Sequence, residues 1–160
     1  MTQSTQTTLP REVESALLIS DRIFGRYILL EELGRGGMGI VQKAWQMDLK
    51  RYVAIKFLGG TGDPQQLKRF YREAQTAAQL SHPNITSIYE ISIQDGKHFI
   101  AMEYIDGVSL DDIEIPTDMA NIRKIVFWIR DVSRAVDLAH KKGVIHRDIK
   151  PEVFFFQEHF

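Results

Sequence analysis

Near the end of the chain the run VIHRDIKPEV, from Val144 to Val153, places a carboxylate, Asp148, between Arg147 and Ile149, with Lys150 two positions on and Pro151 fixing the backbone after it. A carboxylate so placed can take a proton from a hydroxyl group while a neighbouring ammonium faces a phosphoryl group in transit. A polar surface loop would carry the same letters, so the run alone does not decide.

Two further groups lie upstream. Gly34, Arg35, Gly36, Gly37, Met38, Gly39, Ile40 and Val41, entered from Leu33, fit the pattern G-x-G-x-x-G-x-V. Glycines let backbone N–H groups approach an anion closely, so a flexible hairpin over phosphates is one reading and a plain tolerant turn is the other. Dinucleotide-binding folds open a helix with nearly the same triplet. Here an apolar, strand-like segment follows, and too few residues separate Gly39 from Lys56 for a strand, a helix and a second strand. Lys56 itself stands inside the β-rich run Tyr52 to Leu58. An unpaired buried ammonium is costly, so it either reaches solvent at a strand edge or takes a partner. Glu73 is the natural partner, unless it is simply a solvated helix glutamate.

The elements that must position these groups are legible as patterns. Tyr27 to Leu33, Ile40 to Trp45 and Tyr52 to Leu58 read as strands, the first two joined by the glycines. Asp63 and Pro64 are a start signal for a helix whose apolar face carries Leu67, Phe70, Tyr71, Ala74, Ala77 and Ala78. Strands over Ile85 to Ile93 and Phe99 to Tyr104 flank Asp95-Gly96, a strong hairpin signal. Ile122, Ile125, Val126, Ile129, Val132, Ala135, Val136 and Ala139 then mark a long amphipathic helix, closed by Lys141, Lys142 and Gly143. Its apolar face demands a partner.

Composition excludes several classes. With 20 basic against 21 acidic residues, there is no broad electrostatic case for nucleic acid or an anionic membrane. No cysteine is present, which rules out disulfides and thiolate metal sites and suits a cytoplasmic location. The N-terminus lacks the features of a secretory signal, and no apolar run reaches the ~18 residues of a membrane span. Residues 1–24 are expected to be a flexible tail.

With the glycine run, the strand lysine, the helix glutamate, the second hairpin and His-Arg-Asp all in order, the chain resembles the eukaryotic-type protein kinases over about residues 25–152, and most of all the bacterial serine/threonine kinases. Val53, Ala54, Ile55 and Lys56 match the family's V-A-I-K strand letter for letter, and Lys150 is typical of its serine/threonine branch. The resemblance implies an α+β fold: an antiparallel five-stranded small lobe with one helix over 25–104, then the beginning of a helical large lobe over 105–160. It implies ATP as the nucleotide, covered by Leu33 to Val41, with Ala54 lining the adenine pocket. Met102 would guard that pocket, while the Glu103 carbonyl and the Ile105 amide would face the base. Lys56, paired to Glu73, would orient the α- and β-phosphates. Asp148 would orient or deprotonate a protein hydroxyl, and Lys150 would balance charge on the γ-phosphate.

The departures matter equally. The family's magnesium-binding Asn falls at Val153, which has no oxygen, and the chain contains no Asp-Phe-Gly to supply the other metal carboxylate, so Mg²⁺ is expected for the family while its protein ligands are missing. Little activity is expected from this chain alone. The tail from Val153 to Phe160 is rich in Phe, which suggests a shifted reading frame or a truncated gene. The plainer alternative is an authentic end whose Phe residues pack on the long helix. Besides a kinase domain, the readings left open are a non-catalytic module that binds nucleotide or a partner kinase, and a gene remnant. The protein substrate is not legible.

Overall fold

Strand formation follows the alternation of the sequence. In Arg51–Leu58 the residues Val53, Ile55 and Phe57 fall to one side and Tyr52, Ala54 and Lys56 to the other. The computed structural model describes residues 9–36, 39–59, 64–114, 119–146 and 149–156. Its elements are α1 (Arg11–Leu17), β1 (Ile23–Phe24), β2 (Tyr27–Gly36), β3 (Gly39–Gln46), β4 (Arg51–Leu58), α2 (Pro64–Ala77), β5 (Ile88–Gln94), β6 (Lys97–Glu103), β7 (Val108–Ser109), α3 (Met119–Lys141) and β8 (Phe155–Phe156). One sheet has six strands in the order β1-β2-β3-β4-β6-β5, and β7 pairs with β8 separately. The pairs from β1 through β4 are antiparallel.

The sheet therefore has six strands where five are expected, and the sixth comes from the segment expected to be a flexible tail. Within β1, Phe24 is buried and meets Phe57 and Phe99 edge-on, with ring centroids 5.1 and 5.2 Å away. The second departure in that segment is α1. Seven residues are too few to hold a helix by backbone bonds alone. Its stability comes from packing: Val13 and Ala16, one turn apart, are buried against Ile28, Leu30 and Trp45. Residues 1–8 lie outside the described residues.

The chain divides into two compact units, Met1–Asp63 with Glu90–Met102, and Pro64–Tyr89 with Glu103–Phe160. In the first unit the sheet carries apolar residues on both faces. One face packs Phe24, Tyr27, Ala44, Val53, Ile55, Phe99 and Ala101 into a continuous core. The other holds α1. The β5–β6 turn places Asp95 and Gly96 at φ 51° and 72°, the left-handed pair that a two-residue hairpin requires. β5 begins at Ile88, later than the expected Ile85.

A polar network ties the start of β2 to β5. Arg26 donates to Glu90 at 2.5 Å and to Asp48 at 3.2 Å, and the Tyr27 hydroxyl also donates to Glu90. Burial, with the Glu90 carboxylate second, pushes the Tyr27 phenol up to about 12 from its ordinary value of 10.0. A phenol held protonated by the fold makes the unfolded chain the weaker proton binder between those values, so stability falls as pH rises from 10 toward 12. Tyr27→Phe is expected to flatten that alkaline decline in a denaturant titration; an unchanged slope would assign it elsewhere.

In the second unit, α2 opens on Pro64 at its first position, as expected, and buries Phe70 and Ala74. The proposed cap Asp63 lies outside the described residues. α3 ends as the sequence predicts. Gly143 adopts φ 77°, its N–H donates to His140 O at 2.9 Å, and the Val144 N–H donates to Ala139 O at 2.9 Å, which is a Schellman cap. Phe156 packs on this helix, its ring centroid 4.2 Å from that of Trp128. Val126, Phe127 and Ile129 are nevertheless more than half exposed.

Candidate functional site

The first unit gathers the glycine run and the strand lysine into one row. Gly34 stands opposite Val41, and Val41 stands opposite Lys56, so the row crosses β2, β3 and β4. Residues in one row share a face and alternate residues along a strand return to it, so Val41, Lys56 and Ala54 project from the same face. Lys56 is half-buried there and Ala54 is buried. Ile40, opposite Phe57, belongs to the other face. Leu33 is exposed beside an irregular stretch, where the β2–β3 pairing shifts register between Leu29 and Glu32 and again between Glu32 and Gly34.

The three described glycines of the run differ in what they do. A Cβ at Gly34 or Gly36 would meet nothing within 4 Å. At Gly39 it would lie 1.9 Å from the Phe57 carbonyl oxygen, on a backbone with φ 124°. The first two positions are open toward solvent, whereas the last is a close approach between β3 and β4 that only glycine permits. Arg35 is held by Glu32 through two bonds, at 3.0 and 2.6 Å, which lowers the Glu32 carboxyl and raises the guanidinium. Gly37 and Met38 lie outside the described residues.

Lys43, to which the motifs give no role, sits beside this row. It stands opposite Ala54, pairs with Glu12 of α1 at 3.0 Å and Glu31 at 3.7 Å, and places its ammonium 4.5 Å from the Tyr52 ring centroid. The signal that could have exposed this arrangement is Pro10 followed by Glu12 and Glu14, a helix start just ahead of Val13, Ala16 and Leu17.

In the second unit, Glu73 is exposed on α2. Lys56 belongs to the first unit, so their ion pair is a proposal taken up below. The Glu103 N–H donates to Ser87 O at 2.9 Å, and the Ser87 N–H donates to the Glu103 carboxylate at 3.2 Å. These bonds use the amide and side chain of Glu103, not its carbonyl. Glu103 and Ile105 line a cleft of about 440 Å³ together with Trp128, Val132, Val153 and Phe155. Lys150 is exposed, and its extended backbone (φ −154°, ψ 161°) is what a residue before proline adopts. It precedes a short 3-10 turn, Pro151–Val153, and Val153 is half-buried at its end. Arg147 and Asp148 lie outside the described residues.

Magnesium needs oxygen ligands. Among the described residues no three His, Cys, Asp or Glu side chains converge as ligands, and position 153 offers none.

Comparison with known proteins places this geometry in a wider set. The family described as "Protein kinase domain" matches residues 27–159. Serine/threonine-protein kinase PrkC of Bacillus subtilis is 39% identical over 137 residues, covering 84% of this chain and 21% of PrkC. Serine/threonine-protein kinase PknB of Mycolicibacterium smegmatis is 41% identical over 132 residues, covering 79% of this chain and 21% of PknB. The chain thus spans about a fifth of these relatives. Among solved structures, a mutant of the Mycobacterium tuberculosis PknI kinase domain aligns with a TM-score of 0.65 at 29% identity, over 81% of this chain and 54% of that one. No described helix is long and apolar enough to cross a membrane.

Proposed function

The chain belongs to the protein kinase domain family, and on that premise we propose that it carries the ATP-binding small lobe and catalytic-loop segment of a cytoplasmic serine/threonine protein kinase. The observation that best supports this is the row Gly34, Val41, Lys56: the hairpin suited to cover phosphates and the cation suited to meet them rise from neighbouring strands on one face.

In this reading Leu33 to Val41 close over ATP, and Ala54 packs on the adenine. The Glu103 carbonyl and Ile105 amide meet the edge of the base. Lys56, steadied by Glu73, holds the α- and β-phosphates. Asp148 takes the proton of a serine or threonine hydroxyl as its oxygen bonds to the γ-phosphorus, and the bond to the β-phosphate oxygen breaks to release ADP. Lys150 offsets charge on the moving phosphoryl group.

Saturable ATP binding that is weakened in Lys56→Met tests the nucleotide part directly. The transfer step carries its own expectation, because Val153 withdraws an oxygen ligand from the charge that must be stabilised. Given Mg²⁺, ATP and a general protein acceptor, the purified chain is expected to transfer phosphate at the background rate. A magnesium-dependent rate well above background would show that Val153 is no obstacle.

A further inference from the structure

The helix α1 lies outside the region matched by the kinase family, which begins at Tyr27, yet it sits on the face of the sheet that carries Lys56. The register settles this. Along β3, Val41, Lys43 and Trp45 share a face, and they stand opposite Lys56, Ala54 and Tyr52. Trp45 is packed by Val13 and Ala16 of α1, and Lys43 is paired to Glu12 of α1. Three successive rows on one face therefore run from the α1 seat (Trp45–Tyr52), through the ion pair (Lys43–Ala54), to the expected phosphate-facing row (Val41–Lys56).

The position of the irregularity gives this arrangement a mechanical meaning. The β2–β3 hairpin pairs regularly from Tyr27 to Leu29, opposite Gln46 to Ala44, and loses register just beyond. α1 buries Ile28 at that regular base and Leu30 just past it. Lys43, bound to both Glu12 and Glu31, joins the helix to β2 where the register first shifts. Beyond this point a Cβ at Gly34 or Gly36 would meet nothing within 4 Å. A hydrogen bond from Tyr52, and then the Lys43 ammonium, keep the Glu12 carboxyl below its ordinary range, so the joint is charged at neutral pH.

We infer that α1 is a clamp on the glycine hairpin, with Glu12 acting through Lys43 as a positioning residue that holds the hairpin base so that Gly34 and Gly36 lie over a nucleotide. The role in nucleotide binding rests on the reading above; the clamp itself does not. The clamp limits the swing of the hairpin at its base, so fewer open conformations compete with the one that covers ligand.

Two variants separate the clamp from simple destabilisation. Val13→Asp puts a charge into the apolar seat, and Glu12→Lys sets two ammonium groups against each other and so loosens α1 without altering an apolar residue. Each is made with Trp128→Phe, so that Trp45, one of the chain's 2 tryptophans, reports on the seat. In the intact fold both are expected to red-shift Trp45 emission and to speed hydrogen exchange of the amides at 31–41 by about fivefold or more, while residues 53–57 keep their protection. Both should weaken ATP binding by about fivefold. A red shift with unchanged exchange at 31–41 would overturn the clamp, and so would equal acceleration at 53–57, which signals only a weaker fold. If the unaltered chain binds no ATP, the nucleotide reading fails and the exchange data still decide on the clamp.

Discussion

Gly39→Ala is expected to cost the first unit at least about 2 kcal/mol of stability, whereas Gly34→Ala and Gly36→Ala each stay within about 0.5 kcal/mol of the unaltered chain. All three replace a glycine of the same motif. The difference lies in the backbone. At φ 124° a side chain is strained whatever the space, and the added carbon at Gly39 would stand 1.9 Å from Phe57 O and 2.7 Å from Gly59 N, both backbone atoms that cannot swing aside. Relief requires β3 to move off β4, which breaks the Gly39–Leu58 and Ile40–Phe57 pairs next to the Val41–Lys56 row. Gly34 and Gly36 carry no such contact, so their cost should appear in ligand affinity alone, where a methyl group keeps phosphates away from the loop amides. Urea unfolding and ATP titration of the three variants separate the two effects. Equal stability losses at all three positions would show that the motif serves the fold uniformly.

That split was not legible in the motif, because G-x-G-x-x-G gives its glycines equal standing. Much else was. Alternation in Tyr52 to Leu58 marked β4 and its two faces, since a strand buried unequally must alternate. Asp95-Gly96 marked the β5–β6 turn, because two consecutive left-handed residues are cheap for that pair. The basic residues and Gly143 marked the end of α3, whose last carbonyls need donors and a left-handed cap. Pattern fails where tertiary packing supplies the energy. The seven residues of α1 show too little periodicity to declare a helix, and the packing that stabilises one comes from Ile28, Leu30 and Trp45, further along the chain. The same holds for β1, which exists because Phe24 has Phe57 and Phe99 to pack against. Residue identity at Val153 was visible at once, but its place beside a cleft shared with Glu103 and Ile105 needed the fold.

The largest expected effect on function is at Lys56. Its ammonium stands in the row that begins at the glycine hairpin and projects from the face shared with Val41 and Ala54. A charge-assisted hydrogen bond to phosphate contributes about 1.5–3 kcal/mol, so Lys56→Met should weaken ATP by about tenfold to a hundredfold. Methionine keeps the length and apolar stem of lysine, so the half-buried strand should keep its packing. Adenosine, which offers no phosphate, should bind both proteins alike. This contrast assigns the loss to phosphate recognition rather than to a damaged lobe.

Equilibrium titration of the unaltered chain and of Lys56→Met with ATP and with adenosine is the most direct test that this sheet is a nucleotide-binding kinase lobe. The expected result is saturable ATP binding by the unaltered chain, at least about tenfold weaker binding by Lys56→Met, and equal adenosine binding by both. Absence of saturable ATP binding, or equal ATP affinity in the two proteins, would contradict it.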